Sequence, residues 1–129
     1  MTRSAVDGPG VVGAQGGYSP GVRIGDLVQT AGQGPIDPRT GAVVPGSVAE
    51  QVELTLANVA AVLAAAGGGL DDALMVRVYL TSADHFAEMD EVYRRVLSEP
   101  YPARTTVFVG LGEGMLVEID ALAVIPDRS

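Results

Sequence analysis

The chain has 129 residues, 47% of them apolar, which suits one domain burying roughly two-thirds of its unfolded surface and leaves no room for a second core. Its 16 acidic residues outnumber the 8 basic ones, and the formal charge of −8 repels a phosphate backbone, setting nucleic acid aside as a partner. Every basic residue is Arg and Cys is absent, which excludes a Schiff-base lysine, a pyridoxal-phosphate anchor, a Walker-type loop, a thiolate nucleophile and iron–sulfur ligation.

The single histidine, His85, cannot found a His-rich metal cluster, so metal dependence is not expected. No secretory leader and no continuous apolar run of roughly 18 residues is visible. The expectation is a cytoplasmic protein without a membrane partner.

Residues 1–17 are rich in Gly and lack periodicity, and they read as a flexible N-terminal arm with room for one short edge segment. A single domain is predicted over residues 18–129. Val22–Ile24 and Leu27–Ala31 flank Gly25-Asp26, a pair suited to the positive φ of a two-residue hairpin. Gly32-Gln33-Gly34-Pro35 ends the second strand, and the turn residues Asp37 to Gly41 lead into the brief apolar run Ala42–Val44.

Ser47 and Glu50 form a capping-box pattern, followed by Val48, Val52, Leu56, Val59 and Leu63 at helical spacing and by a Gly67-Gly68-Gly69 exit. Leu74, Val76, Val78 and Leu80 alternate with Met75, Arg77 and Tyr79 as in a strand. A second helix is predicted from Ala83 to Leu97, with Ser82 as cap and with Phe86, Met89, Tyr93 and Val96 on one face. Two more strands, Thr105–Val109 and Met115–Ile125, complete the order ββ(β)αβαββ of an α+β fold.

The last strand is apolar on both sides: Met115, Val117, Ile119, Ala121, Ala123 and Ile125 face one way, Leu116, Leu122 and Val124 the other. Two helices can cover only one side of such a sheet. The other therefore calls for another chain, which predicts an oligomer.

Glu118 and Asp120 share the second of those faces, among leucines. An ion pair or a backbone hydrogen bond at a subunit rim accounts for Asp120. For Glu118 two readings stand side by side: the same rim role, or a part-buried base that holds and deprotonates a water. Arg104 follows Pro102-Ala103, and the rigid approach suits bidentate capture of a small carboxylate, although a surface ion pair is the commoner fate of Arg. Gly32-Gln33-Gly34-Pro35 offers backbone amides but reads first as a turn. Tyr18 reads as a staple for the arm, with a ligand-facing ring as the alternative. His85 reads as a surface residue, and without a second His or a Lys no nucleophilic triad is expected.

Five segments together resemble the RidA/YjgF family of reactive intermediate deaminases. They are Tyr18-Ser19-Pro20-Gly21-Val22, Thr30-Ala31-Gly32-Gln33, Asp37-Pro38-Arg39-Thr40-Gly41, Pro102-Ala103-Arg104-Thr105-Thr106-Val107 and Val117-Glu118-Ile119-Asp120-Ala121. The resemblance spans Tyr18 to Ile125. It implies a chorismate-mutase-like fold (bacillus type), a mixed sheet with two helices on one face, and a homotrimer whose sheets form a central barrel with sites in the clefts between subunits. The implied reaction is cofactor-free hydrolysis of 2-aminoacrylate-type enamine and imine acids to 2-keto acids and ammonia, as by a 2-iminobutanoate/2-iminopropanoate deaminase.

Carried over by position, Arg104 grips the substrate carboxylate, Glu118 activates the water, Tyr18 lines the pocket, and backbone groups near Ala31, Gly32 and Thr106 complete it. The chain departs from common family residues at Ala31 (often Ser), Gly34 (often a larger apolar residue), Asp90 (Asn in some), Thr106 (Cys in some) and Gly112 (often Pro). A non-catalytic trimer binding small carboxylates to regulate a partner is the alternative function, and a ribonuclease activity is disfavoured by the acidic balance.

Overall fold

The computed structural model describes residues 2–128. Eight regular elements follow one another: β1 (Ser4–Val6), β2 (Gly21–Ile24), β3 (Leu27–Thr30), α1 (Val48–Ala65), β4 (Ala73–Leu80), α2 (Phe86–Val96), β5 (Ala103–Phe108) and β6 (Val117–Val124). The strands form one six-stranded sheet in the order β1-β2-β3-β6-β4-β5. Only the β4–β5 pair is parallel, bridged by α2, and all other neighbours are antiparallel.

Local chemistry explains each boundary. Ile24 pairs with Leu27 across a two-residue turn in which Gly25 takes φ 57°, a conformation cheap only for glycine. At the start of α1 the Ser47 Oγ accepts from the Glu50 amide (3.1 Å) and Glu50 Oε1 accepts from the Ser47 amide (2.9 Å). The Glu88 carboxylate on α2 accepts from the Ala49 amide at 2.8 Å, so the second helix helps to cap the first.

At the other end, Gly67 turns the chain with φ 92°. There Arg23 donates to the Ala66 carbonyl (2.6 Å), the Ile125 carbonyl (2.7 Å) and the Gly25 carbonyl (3.0 Å). A cation at a helix C-terminus neutralises its partial negative charge, and here it also ties the helix end to the hairpin and to the residue that follows β6. Nothing in the spacing around Arg23 announces this long-range role.

Both helices cover one side of the sheet. Val52, Leu56, Val59 and Leu63 of α1, with Met89, Val92 and Tyr93 of α2, bury against Val28, Val76, Val78, Leu80, Val117, Ile119, Ala121 and Ala123. By length and composition α1 could cross a bilayer, but half of it is buried inside the protein, as in the core helix of a globular domain.

The opposite side carries Val22, Ile24, Leu27, Gln29 and Leu122, which line a groove of about 690 Å³ together with residues 2 and 3. This is the face for which the sequence predicts a covering chain, and in a single chain Ile24, Leu27 and Val124 stand exposed on it.

The structure differs from the sequence expectations at three points. The strand spacing placed Leu74 with the core residues of β4, but an irregularity between Ala73 and Met75 shifts the register against β6 and leaves Leu74 60% exposed. The second helix opens with a separate 3-10 turn, Ala83–His85, capped by Ser82, so α2 itself begins at Phe86. Ala42–Val44 contributes only the isolated bridge Val43 to Ile36, whereas the extra strand is β1, the short segment of the opening arm, with Val6 buried beneath it.

Candidate functional site

The site begins where β3 leaves the sheet. Its ladder with β6 runs through Leu27, Val28 and Gln29. The Thr30 hydroxyl then accepts from the Ala121 amide at 3.0 Å in place of a backbone bond. Pairing resumes at Gln33, which exchanges two backbone bonds with Ile119 (2.8 and 2.9 Å). Ala31 and Gly32 are thereby lifted off the ladder, with the Ala31 amide held by the Pro20 carbonyl at 2.8 Å.

Into this gap comes Glu118. A Cβ on Gly32 would stand 2.5 Å from Glu118 Oε2 and 2.9 Å from its Cδ, so glycine is required for the carboxylate to lie against the backbone. Glu118 lines a cleft of about 260 Å³ with Tyr18, Gly32, Ile36, Val43 and Met115. At Gly34 the space a side chain would take is filled by Met115, whose methyl lies 2.5 Å from where a Cβ would stand.

No hydrogen bond of the Glu118 side chain is formed among the described residues. Burial first, and the neighbouring Asp120 charge second, hold its carboxyl above the usual value of 4.5. Asp120 is differently placed. It accepts from Arg77 Nε (2.7 Å), from the Tyr79 hydroxyl (2.8 Å) and from Gln29 Nε2 (3.4 Å), so the ion-pair role expected for it holds. Burial and the bond to Asp120 raise the Tyr79 phenol, which stays protonated as a donor.

Two residues that sequence reasoning did not single out brace the loops around the cleft from behind. Asn58 Nδ2 donates to the Gly34 carbonyl (2.9 Å) and the Ile36 carbonyl (2.8 Å). Gln51 donates to the carbonyls of Val44 (3.1 Å) and Gly114 (2.9 Å) and accepts from the Leu116 amide (2.8 Å). Both are buried on α1. The available signal was two amides seven residues apart within the apolar stripe, a place where polar side chains need partners.

Arg104 stands elsewhere. It is aligned with Val76 in the β4–β5 ladder, and Thr106 with Val78, so both side chains project to the helix side of the edge strand. Glu118 is aligned with Tyr79 and projects to the open side. Arg104 Nη1 donates to Asp90 Oδ1 at 2.7 Å. Its guanidinium carbon lies 4.7 Å from the Tyr93 ring centre and 5.4 Å from that of Phe86. One chain thus holds two candidate half-sites, Glu118 with Gly32 and Tyr18 on one side of the sheet and Arg104 with Thr106 on the other.

Tyr18 is exposed at the cleft mouth, and its hydroxyl accepts from the Gln15 amide at 3.2 Å, so the arm staple and the pocket wall are the same residue. His85 sits in the 3-10 turn that directly precedes Phe86 and α2. Among the described residues no group of three or more His, Asp or Glu side chains is arranged to hold a metal ion.

The comparisons with known proteins agree on what this arrangement resembles. The model of the endoribonuclease L-PSP family matches residues 11–125. A RutC family protein of Pyrococcus horikoshii is 43% identical over 109 residues, 84% of this chain and 86% of the relative. TdcF of Escherichia coli, a protein named as a candidate reactive intermediate deaminase, is 40% identical over 116 residues, 87% of this chain and 89% of its own. The structure of TdcF with bound serine superimposes with a TM-score of 0.87 at 37% identity, covering 98% of this chain and 99% of that one. RidA of a Psychrobacter species gives 0.89 at 37% identity over 95% and 99%. The chain therefore belongs to the endoribonuclease L-PSP family, the group that includes the RidA and YjgF proteins.

Proposed function

We propose that this protein hydrolyses 2-aminoacrylate-type enamine and imine acids to 2-keto acids and ammonia in the cytoplasm. It acts as a homotrimer of chorismate-mutase-like subunits in which the Arg104 half-site of one chain completes the Glu118 half-site of the next. The observation that carries this reading is the Glu118 carboxylate: part-buried, raised in pKa, without a protein partner, and facing a cleft of about 260 Å³ that fits a small metabolite. The apolar open face supports the trimer, because it offers the surface a second copy would bury.

In this reading Arg104 binds the substrate carboxylate, and Thr106, Ala31 and Gly32 provide backbone contacts beside it. Tyr18 lines the pocket. The enamine takes a proton at carbon and becomes the iminium, the protonated form of the imine. Glu118 removes a proton from water as its oxygen bonds to the imine carbon, and the C=N electrons move to nitrogen. The proton returns from Glu118 to the nitrogen of the carbinolamine. The carbinolamine hydroxyl then gives its proton to Glu118 as C=O forms and the C–N bond breaks, so one water is consumed for one ammonia released and the proton taken up at carbon is returned. Fixing an already electrophilic imine beside an ordered water supplies the rate advantage through orientation.

The test is to generate 2-aminoacrylate in place with a lyase and follow keto-acid release. Addition of the protein is expected to accelerate it, and equal activity of wild type and Arg104→Ala would overturn the proposal.

The serine bound in the TdcF structure favours one second reading, a trimer that binds small carboxylates without turnover to regulate a partner. It predicts saturable keto-acid binding and no acceleration. RNA cleavage, the activity in the family's description, finds little support: Arg77 and Arg95 are each paired with a carboxylate, at 2.7 and 2.6 Å, and the formal charge of −8 repels a phosphate backbone.

A further inference from the structure

The Arg104 half-site contains an anion of its own. Asp90 Oδ1 and Arg104 Nη1 are 2.7 Å apart, and the two side chains are only 28% and 22% exposed. Tyr93 and Phe86 set the plane of the guanidinium. Asp90 occupies one of its nitrogens, which leaves Nε and Nη2 as a single bidentate edge with no partner among the described residues.

Together the guanidinium and the Asp90 carboxylate carry no net charge. A bound acid with one carboxylate makes the half-site a monoanion, and one with two makes it a dianion. Spare cations nearby are few. Arg95 is paired with Glu53 at 2.6 Å and Arg77 with Asp120 at 2.7 Å, while Arg94 shares its groove on α2 with Glu91 and Asp90 itself.

We infer that Asp90 is a specificity-determining residue: by pairing Arg104 in advance it restricts the pocket to substrates with a single carboxylate and rejects diacids. The inference rests on the reading of Arg104 as the grip for the substrate acid. Asp90 acts through Arg104 and takes no part in bond making. Its carboxylate weakens the binding of every anion and weakens that of dianions more, because repulsion scales with ligand charge in a site partly shielded from water.

The conservative variant separates charge from geometry. Asp90→Asn keeps an acceptor oxygen for Nη1 but removes the negative charge, whereas Asp90→Ala removes both. Calorimetric titration of the intact protein with 2-oxobutanoate (one carboxylate) and 2-oxoglutarate (two) reads the result. Asp90→Asn should bind 2-oxobutanoate about tenfold tighter than wild type, as expected for deleting one neighbouring like charge, and 2-oxoglutarate should gain by a larger factor. Both gains should shrink as salt is raised. In the lyase-coupled assay KM should fall with little change in kcat, since Glu118 is untouched. Asp90→Ala, without the pin on the guanidinium, should bind 2-oxobutanoate more weakly than Asp90→Asn.

A structural role alone predicts equal or weaker binding by Asp90→Asn for both acids, and that result, with wild type binding normally, overturns the inference while leaving the deaminase reading intact. If neither protein binds either acid, Arg104 is not an acid grip, and the proposed function falls together with this inference.

Discussion

The two half-sites solve opposite problems. Around Glu118 the fold supplies space and burial but no partner: the ladder opens at Ala31 and Gly32, Asn58 and Gln51 anchor the flanking loops, and the carboxylate faces the cleft unpaired. Around Arg104 the fold supplies partners but leaves one edge open, with Asp90 on one nitrogen and two aromatic rings against the guanidinium. In the proposed mechanism the group that moves a proton is kept reactive by withholding its partners, at some cost in stability. The group proposed to hold the ligand is made rigid before the ligand arrives, so that less entropy is lost on binding.

The sharpest way to break this contrast is to remove each centre in turn. Arg104→Ala should lower kcat/KM in the lyase-coupled assay about 10³-fold, the scale of a lost charge-assisted grip and the orientation it provides. A loss below tenfold would mean that the cation is only a rim ion pair.

Glu118→Gln should lower kcat about 10²-fold, at the lower end for removing a general base. Its stability should move the other way. Because burial raises the Glu118 carboxyl above 4.5, the folded chain holds that proton to higher pH than the unfolded chain. The contribution to stability is therefore present below pH 4.5 and lost as pH rises through the raised value. Glu118→Gln should melt above wild type at pH 7, and the gap should close as pH falls toward 4.5 and below. A gap constant with pH would contradict the burial argument. In wild type the acid limb of kcat/KM should lie above 4.5, and Asp120→Asn should shift it to lower pH by removing the second cause of the raised value.

Asn58→Ala sharpens the comparison because it touches one half-site only. It strips donors from the Gly34 and Ile36 carbonyls, which should cost about 2 kcal/mol in urea unfolding. Faster hydrogen exchange at Gly34 and Ile36, with no change along β5, would place the damage at the Glu118 cleft. Ser47→Ala is the smallest effect. Loss of the α1 cap should cost about 1 kcal/mol and leave the kinetics of both half-sites as they were.

Much of this could be read without coordinates. The capping box at Ser47 and Glu50, the Gly25-Asp26 hairpin and the α1 stripe depend on neighbours within four residues, and all appear as expected. The doubly apolar β6 pointed to one covered and one uncovered sheet face, which is what the α+β layering presents. Glu118 and Asp120 were legible as a pair on one face, and so was the ion-pair role of Asp120.

Long-range placement was not legible. The bridging of Asn58 to residues 24 and 22 positions away, the capping of α1 by Arg23 across 43 positions and the exposure of Leu74 at a register shift each arise from elements meeting in space. The same holds for the central fact about the site. Strand alternation assigns Arg104 and Glu118 to alternate faces of their own strands, but which of those faces lies under the helices is decided only when β4 aligns with β5 in parallel and with β6 antiparallel. Sequence by itself determined the elements and the chemistry of the side chains, because both follow from short-range geometry and intrinsic pKa. Tertiary structure alone decided that Arg104 and Glu118 belong to opposite sides of one sheet, because side-chain direction in a sheet depends on register, and register is a property of strands that meet.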